Sequence, residues 1–182
     1  LDGLIEYFDE HVDRSDYIVG WVDAFAKGSN IGRGEIHRAD YLAEGEDRYP
    51  AQTMRLDAQG VPDTLFWFVP KSALWRFARP LTNNLGFRMV NAAKYFMAVR
   101  NEGHTYRQSH VAFHFLLDYM PNWKYSYGPD GLIQYQVFLP KETAAEGFKQ
   151  IFRTCQRKGR PNYLSVLKRH RPDDFLMTYS LD

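Results

Sequence analysis

The chain has 182 residues, of which 45% are hydrophobic and 16% aromatic, and a formal net charge of +1. That is the size of one domain with ample core material, and the charge gives no broad attraction to a polyanion. A single cysteine, Cys155, excludes an internal disulfide framework and a multi-cysteine zinc site. No apolar run approaches the ~20 residues of a membrane span, and no signal peptide is recognisable.

Leu1, Leu4, Ile5, Phe8 and Val12 predict an amphipathic helix, broken at Ser15-Asp16. Tyr17 to Ala24 follows as a strand. Tyr17, Val19 and Trp21 point one way and Ile18, Val22 and Ala24 the other, so both faces are apolar, as in a central strand. Lys27-Gly28-Ser29-Asn30 has turn chemistry. Gly32-Arg33-Gly34 leads into a further element, Glu35 to Tyr41. These glycines precede a strand, so they are not the phosphate-cradling motif, which follows a strand and opens a helix.

Leu42 to Pro70 is polar and punctuated by Pro50, Pro62 and Pro70. A stretch this long without regular pattern is usually functional or lies across a neighbouring surface. Pro80 can begin a helix, and Leu85 to Val99 is apolar enough to predict a largely buried one. Asn101 to Tyr127 crowds together histidines and aromatics. His110 and His114 are four apart, but nothing is spaced to complete three protein ligands for a metal. They read as hydrogen-bonding histidines in a pocket wall.

Gly131 to Arg171 carries the strongest pattern. Leu132 to Leu139 alternates, with Ile133, Tyr135, Val137 and Leu139 on one side and Leu132, Gln134, Gln136 and Phe138 on the other. Pro140 ends that strand. Ala144, Ala145, Phe148, Ile151, Phe152 and Cys155 then fall on one helical face, and Gly159 and Pro161 stop the helix. Cys155 is therefore a core thiol. Tyr163 to Arg169 is a second strand, offering Leu164, Val166, Lys168 and His170 on one side. Phe175 to Leu181 is a third, with Leu176, Thr178 and Ser180 on one side.

The expected architecture is α+β: a mainly antiparallel sheet with helices packed on one face. It contains two βαββ-like units, 1–41 and 131–182, with 42–130 as an excursion over the other face. The first unit lacks its opening strand, which is expected upstream of Leu1 in a larger protein. The helix takes one face of the sheet. Gln134, Gln136, Lys168, Thr178 and Ser180 then share the other, which is either wet or a site. A lysine there must snorkel or hold an anion. The basic cluster Arg157, Lys158, Arg160, Lys168, Arg169, His170 and Arg171 reads as a solvated helix end or a contact for a phosphate-bearing substrate. A nucleic-acid face stays open as an alternative, although the aromatic signature of the RNA-binding sheet modules is missing.

YIVGWVDAF, GRGEIHRADYL, FHFLLDYMPNW, YGPDGLIQYQVFLP and NYLSVLKRH resemble, in order and spacing, the C-terminal half of FAD-dependent oxidoreductases of the vanillyl-alcohol oxidase type. The likeness covers most of 16–182 and is weakest over 42–100. It implies a substrate or cap domain, with FAD held mainly by an upstream domain of the same protein. Gln134 and Gln136 match family glutamines near flavin and substrate. Lys168 matches a pocket lysine that also approaches the cofactor, and Val166 its apolar neighbour, with His170 further along the same side. His114, Leu117 and Trp123 match a loop covering the site. Ser180 stands where a family cysteine does and Thr178 where an asparagine does. His114 replaces a tyrosine and Tyr125 an arginine.

The resemblance implies hydride transfer from a hydroxyl-bearing, sugar-like or polyprenyl-phosphate substrate, with Lys168 and His114 as catalytic candidates. It implies neither a metal nor a nucleic-acid partner. The place of action would be the cytoplasm or the inner face of the membrane. A C=C reductase of the sterol-reductase kind and a non-catalytic ferredoxin-like binding module are the alternatives.

Overall fold

The computed structural model describes residues 1–65, 68–170 and 172–176. In chain order, α1 is Asp2–His11, β1 Tyr17–Val22, β2 Gly34–Ala39, α2 Pro50–Thr53, α3 Leu56–Gln59, β3 Thr64–Leu65 and β4 Val69–Pro70. Then come α4 Leu74–Ala78, α5 Asn84–Arg100, α6 His110–His114, α7 Lys141–Arg157 and β5 Ser165–Leu167. The chain is mixed α and β, and its larger sheet is antiparallel with β1 in the middle, in the order β2-β1-β5.

Two compact units emerge. The first combines Leu1–Tyr41, Arg88–Arg100 and Tyr135–Asp182, and holds the three-stranded sheet. The second combines Leu42–Phe87 with Asn101–Gln134. It contains the short antiparallel β3–β4 ladder and several helical turns. Ser109 caps α6 by accepting from Ala112 N at 3.1 Å, and donates to the Gln59 carbonyl at 2.6 Å. Trp75 meets Tyr125 at a ring separation of 5.5 Å.

The core of the first unit lies between one sheet face and the helices α1 and α7. Val22, Ala24, Ile31 and Phe152 form it, with Leu1, Leu4, Phe148 and Leu167 packed around them. The α7 stripe that supplies Phe148 and Phe152 is the one legible from helical spacing. Cys155 is half-buried on that helix. Lys158 follows α7, and Gly159 at φ 68° provides the left-handed turn that ends it. Gly34 cannot carry a side chain: a Cβ there would lie 2.0 Å from the Trp21 carbonyl oxygen.

Two expectations need correction. Leu132 to Leu139 has no regular secondary structure and makes no ladder among the described residues. Side-chain alternation sets which way residues face, whereas a ladder also needs a regular neighbouring edge. Here β5 is only three residues long. The segment still keeps the sidedness expected of it near its end. Leu139 packs against Gly147 of α7, while the Phe138 ring lies 5.7 Å from His170. Its start is open, with Ile133 94% exposed.

The second correction concerns α5. Its apolar residues do not make it a buried helix: Phe96 is 64% exposed, whereas the polar Asn91 is buried at 3%. Residues 88–100 of α5 reach the sheet face opposite α1 and α7 through the Lys94 and Asn91 side chains. Most of the expected strand Phe175 to Leu181, including Thr178 and Ser180, lies outside the described residues.

Phe152 is 6% exposed at the centre of the core. Phe152→Ala should cost about 3–5 kcal/mol, measured by urea unfolding. Phe96→Ala, on the exposed side of α5, should cost under ~1 kcal/mol.

Candidate functional site

The site follows from strand register. Antiparallel pairing places Trp21 opposite Glu35, and Val19 opposite His37, on β2. On β5, Trp21 faces Val166 and Gly20 faces Leu167. Continuing that register by one residue sets Lys168 beside Val19. Because successive side chains alternate, Val19, Trp21, Glu35, His37, Val166 and Lys168 share one face. Gly20, Val22 and Leu167 share the other, beneath α1 and α7. Two observations support this sidedness past the end of β5. Leu164, Val166, Lys168 and His170 are exposed, whereas the residues between them are less so. Arg169 is ion-paired with Asp9 of α1, on the helix side.

One half of the open face is covered by α5. Lys94 reaches Glu35 at 2.6 Å and lies 4.9 Å above the Trp21 ring. His37 Nε2 is 3.1 Å from the same Glu35 oxygen. Burial works against the charged Glu35, but Lys94 and His37 outweigh it and hold the carboxyl below its ordinary value. Next along, Arg33 donates to Asp23 from Nε at 3.0 Å and from its terminal nitrogen at 2.9 Å. Asp23 is 1% exposed and also accepts from Phe25 N at 2.9 Å. The Arg33 guanidinium lies 4.3 Å from the centre of the Tyr95 ring. Asn91 completes the seam by donating to the Tyr163 carbonyl at 3.3 Å.

The other half, around Val19, His37 and Lys168, is not covered by these contacts. Val166 is 48% exposed, and Lys168 has no carboxylate partner among the described residues. Gln136 is exposed, two residues before Phe138, which meets His170. The structure thus groups Val166, Lys168, His170 and Gln136 in one unit.

It does not group all the expected residues there. Gln134 closes the second unit, which also holds His114, Leu117 and Trp123. The His114 ring stacks on His110 at 4.1 Å, and its Nδ1 is spent on the His110 carbonyl at 3.0 Å. Trp123 packs edge-on to Tyr127 at 6.0 Å, and Leu117 is exposed in a short 3-10 turn. Trp21 and His37 were not among the expected site residues. Their signal was present in the alternation of YIVGWV and GEIHRA.

Two concavities in the first unit hold about 210 and 260 Å³. The first is lined by Phe8, Val12, Asp16, Tyr17, Ile18 and Arg169, the second by Lys27, Arg153, Gln156 and Arg157. Both fall short of the ~300 Å³ at which small-molecule pockets begin. Among the described residues there is no group of three or more histidine, cysteine or carboxylate side chains able to hold a metal, and no helix is long and apolar enough to cross a membrane.

The sequence aligns with decaprenylphosphoryl-β-D-ribose oxidase of Mycolicibacterium smegmatis, 32% identical over 181 residues. By sequence, the chain is similar to an oxidase. The match takes in 94% of this chain and 35% of the relative, so the chain spans about a third of the length of that protein. This is consistent with the C-terminal part of an FAD-linked oxidase, the class that GRGEIHRADYL and YGPDGLIQYQVFLP resemble. No family model matches the chain. No solved structure matches it either.

The depressed Glu35 pKa has a sign that can be tested. A group whose folded pKa is lowered adds stability above its unfolded value, and that stability is lost as pH falls through the folded value. The parent should therefore lose stability on acidification below about 4.5, the ordinary glutamate value. Glu35→Gln should be less stable at neutral pH and show a shallower acid slope, read from urea midpoints across pH 2–6.

Proposed function

We propose that this chain is the substrate-facing part of an FAD-dependent oxidoreductase that oxidises a hydroxyl-bearing, sugar-like substrate. The observation that carries this reading is the alignment with an oxidase over 94% of the chain. The open half of the sheet face supports it. The lipid-linked ribose named for the relative is the first candidate substrate.

The donor set fits one edge of a flavin with its substrate. Lys168 offers an ammonium with no competing carboxylate among the described residues, and Gln136 offers an amide. Val166 and Leu164 give apolar flanks that a planar ring can cover. Neither concavity is large enough for FAD, which fits a cofactor held mainly by an upstream domain with this face over it. Gln136, Val166 and Lys168 would contact the cofactor and substrate. When bound, the flavin would supply the hydride acceptor.

The chain's own residues then have definite work. The Lys168 ammonium stabilises negative charge as the hydroxyl oxygen loses its proton, or holds an anionic group of the substrate. Gln136 orients hydroxyls through its amide. Val166 and Trp21 keep the surroundings apolar, which strengthens both interactions. His114 remains a catalytic candidate, and Leu117, Trp123, Gln134, His170, Thr178 and Ser180 remain substrate-contact candidates, carried by the family resemblance.

Full-length protein should purify with flavin bound, and anaerobic addition of the lipid-linked ribose or of sorbitol should bleach it. Lys168→Ala should lower turnover by about 100-fold or more while leaving flavin content near that of the parent. Equal losses of turnover and flavin would make Lys168 a structural residue. Flavin-free protein would overturn the reading.

A further inference from the structure

We infer that His37 is the proton acceptor at this face, held for that task by Glu35 and Lys94; this rests on the oxidoreductase reading above. His37, Val19 and Lys168 form one row across the three strands, His37 by direct pairing and Lys168 by one step of continued register. Adjacent strands are about 4.8 Å apart, so the backbones of His37 and Lys168 are separated by roughly 10 Å on one face. A single sugar-sized molecule can touch an imidazole and an ammonium across that span.

His37 is the histidine of this face with a built orienting chain. Its Nε2 lies 3.1 Å from a Glu35 oxygen, and that oxygen is anchored by Lys94 at 2.6 Å. Lys94 is in turn seated over Trp21. An ionised carboxylate only accepts, so Nε2 carries the hydrogen and Nδ1 is left as the base. The side chain keeps 36% of its surface exposed, so the ring is held but reachable. The charged groups around it are Glu35 on its own strand, Lys94 from α5 and Lys168 from the β5 side. β1 contributes the uncharged Val19.

His114, by contrast, engages its Nδ1 with a carbonyl of its own helix. The substrate O–H proton passes to Nδ1 of His37. The C–H hydrogen would leave with its electron pair as hydride, which a bound flavin would accept, as the carbon–oxygen bond becomes a carbonyl.

The test has a substrate-free arm and a kinetic arm. In the 182-residue chain at neutral pH, nitrogen-15 NMR should find His37 protonated at Nε2 and bare at Nδ1. Glu35→Gln should mix the two tautomers. In full-length, flavin-loaded protein assayed with the lipid-linked ribose or sorbitol, His37→Gln should lower kcat/KM about 100-fold or more with unchanged flavin content. Added imidazole should restore part of the rate. His37 protonated at Nδ1, or His37→Gln retaining turnover within a few-fold with flavin bound, would overturn the assignment alone. A flavin that neither substrate bleaches would overturn the oxidoreductase reading and the assignment with it.

Discussion

The placement of β1 between two antiparallel neighbours is the constraint on which the rest of the first unit depends. It pairs with β2 on one edge and β5 on the other. Once both registers are set, every side chain on three strands is assigned to a face. The even-numbered residues of β1 are committed to the core with Phe8, Phe148 and Phe152. The odd-numbered ones are committed to the opposite face, together with Glu35, His37, Val166 and Lys168. A slip of one residue in β5 would place Lys168 under α1 and α7, where a charge without a partner is costly. The hydrophobic core therefore specifies where the ammonium emerges.

The two faces are closed by different physics. On the core side, α1 and α7 bury apolar stripes. On the other, residues 88–100 of α5 attach through polar contacts: Lys94 to Glu35, Arg33 on Tyr95 and Asn91 to a carbonyl. Lys94 and Arg33 also stack on aromatic rings, where cation–π attraction adds to the ion pairs. A seam of this kind confers orientation more than stability. It fixes Glu35 in one place and leaves the row of Val19, His37 and Lys168 accessible.

Much of this was legible in the residues, for reasons that can be named. α1 and α7 show apolar residues at helical spacing because they pack on an apolar face. β1 and β2 read as strands, and the side on which Val166 and Lys168 emerge follows from alternation alone. Leu132 to Leu139 carries the same alternation without a ladder, because periodicity reports the environment of side chains and not the presence of a backbone partner. α5 misled for the complementary reason. Its buried side is polar, presenting Asn91 and Lys94 to a polar sheet face, while its apolar residues point outward. No count of hydrophobic residues separates that case from a core helix. His37 escaped notice because its significance depends on Glu35, Lys94 and Lys168, which come from three separate elements.

The account stands or falls on which side of the sheet the β5 side chains emerge. Solution NMR of the chain with selectively protonated valine methyls and aromatic rings tests that directly. The structure predicts a strong nuclear Overhauser effect from the Val166 methyls to the Trp21 indole, and none to the Phe152 ring. Contacts from Val166 to Phe152 or Phe148, with Trp21 silent, would place Lys168 beneath the helices and contradict the site.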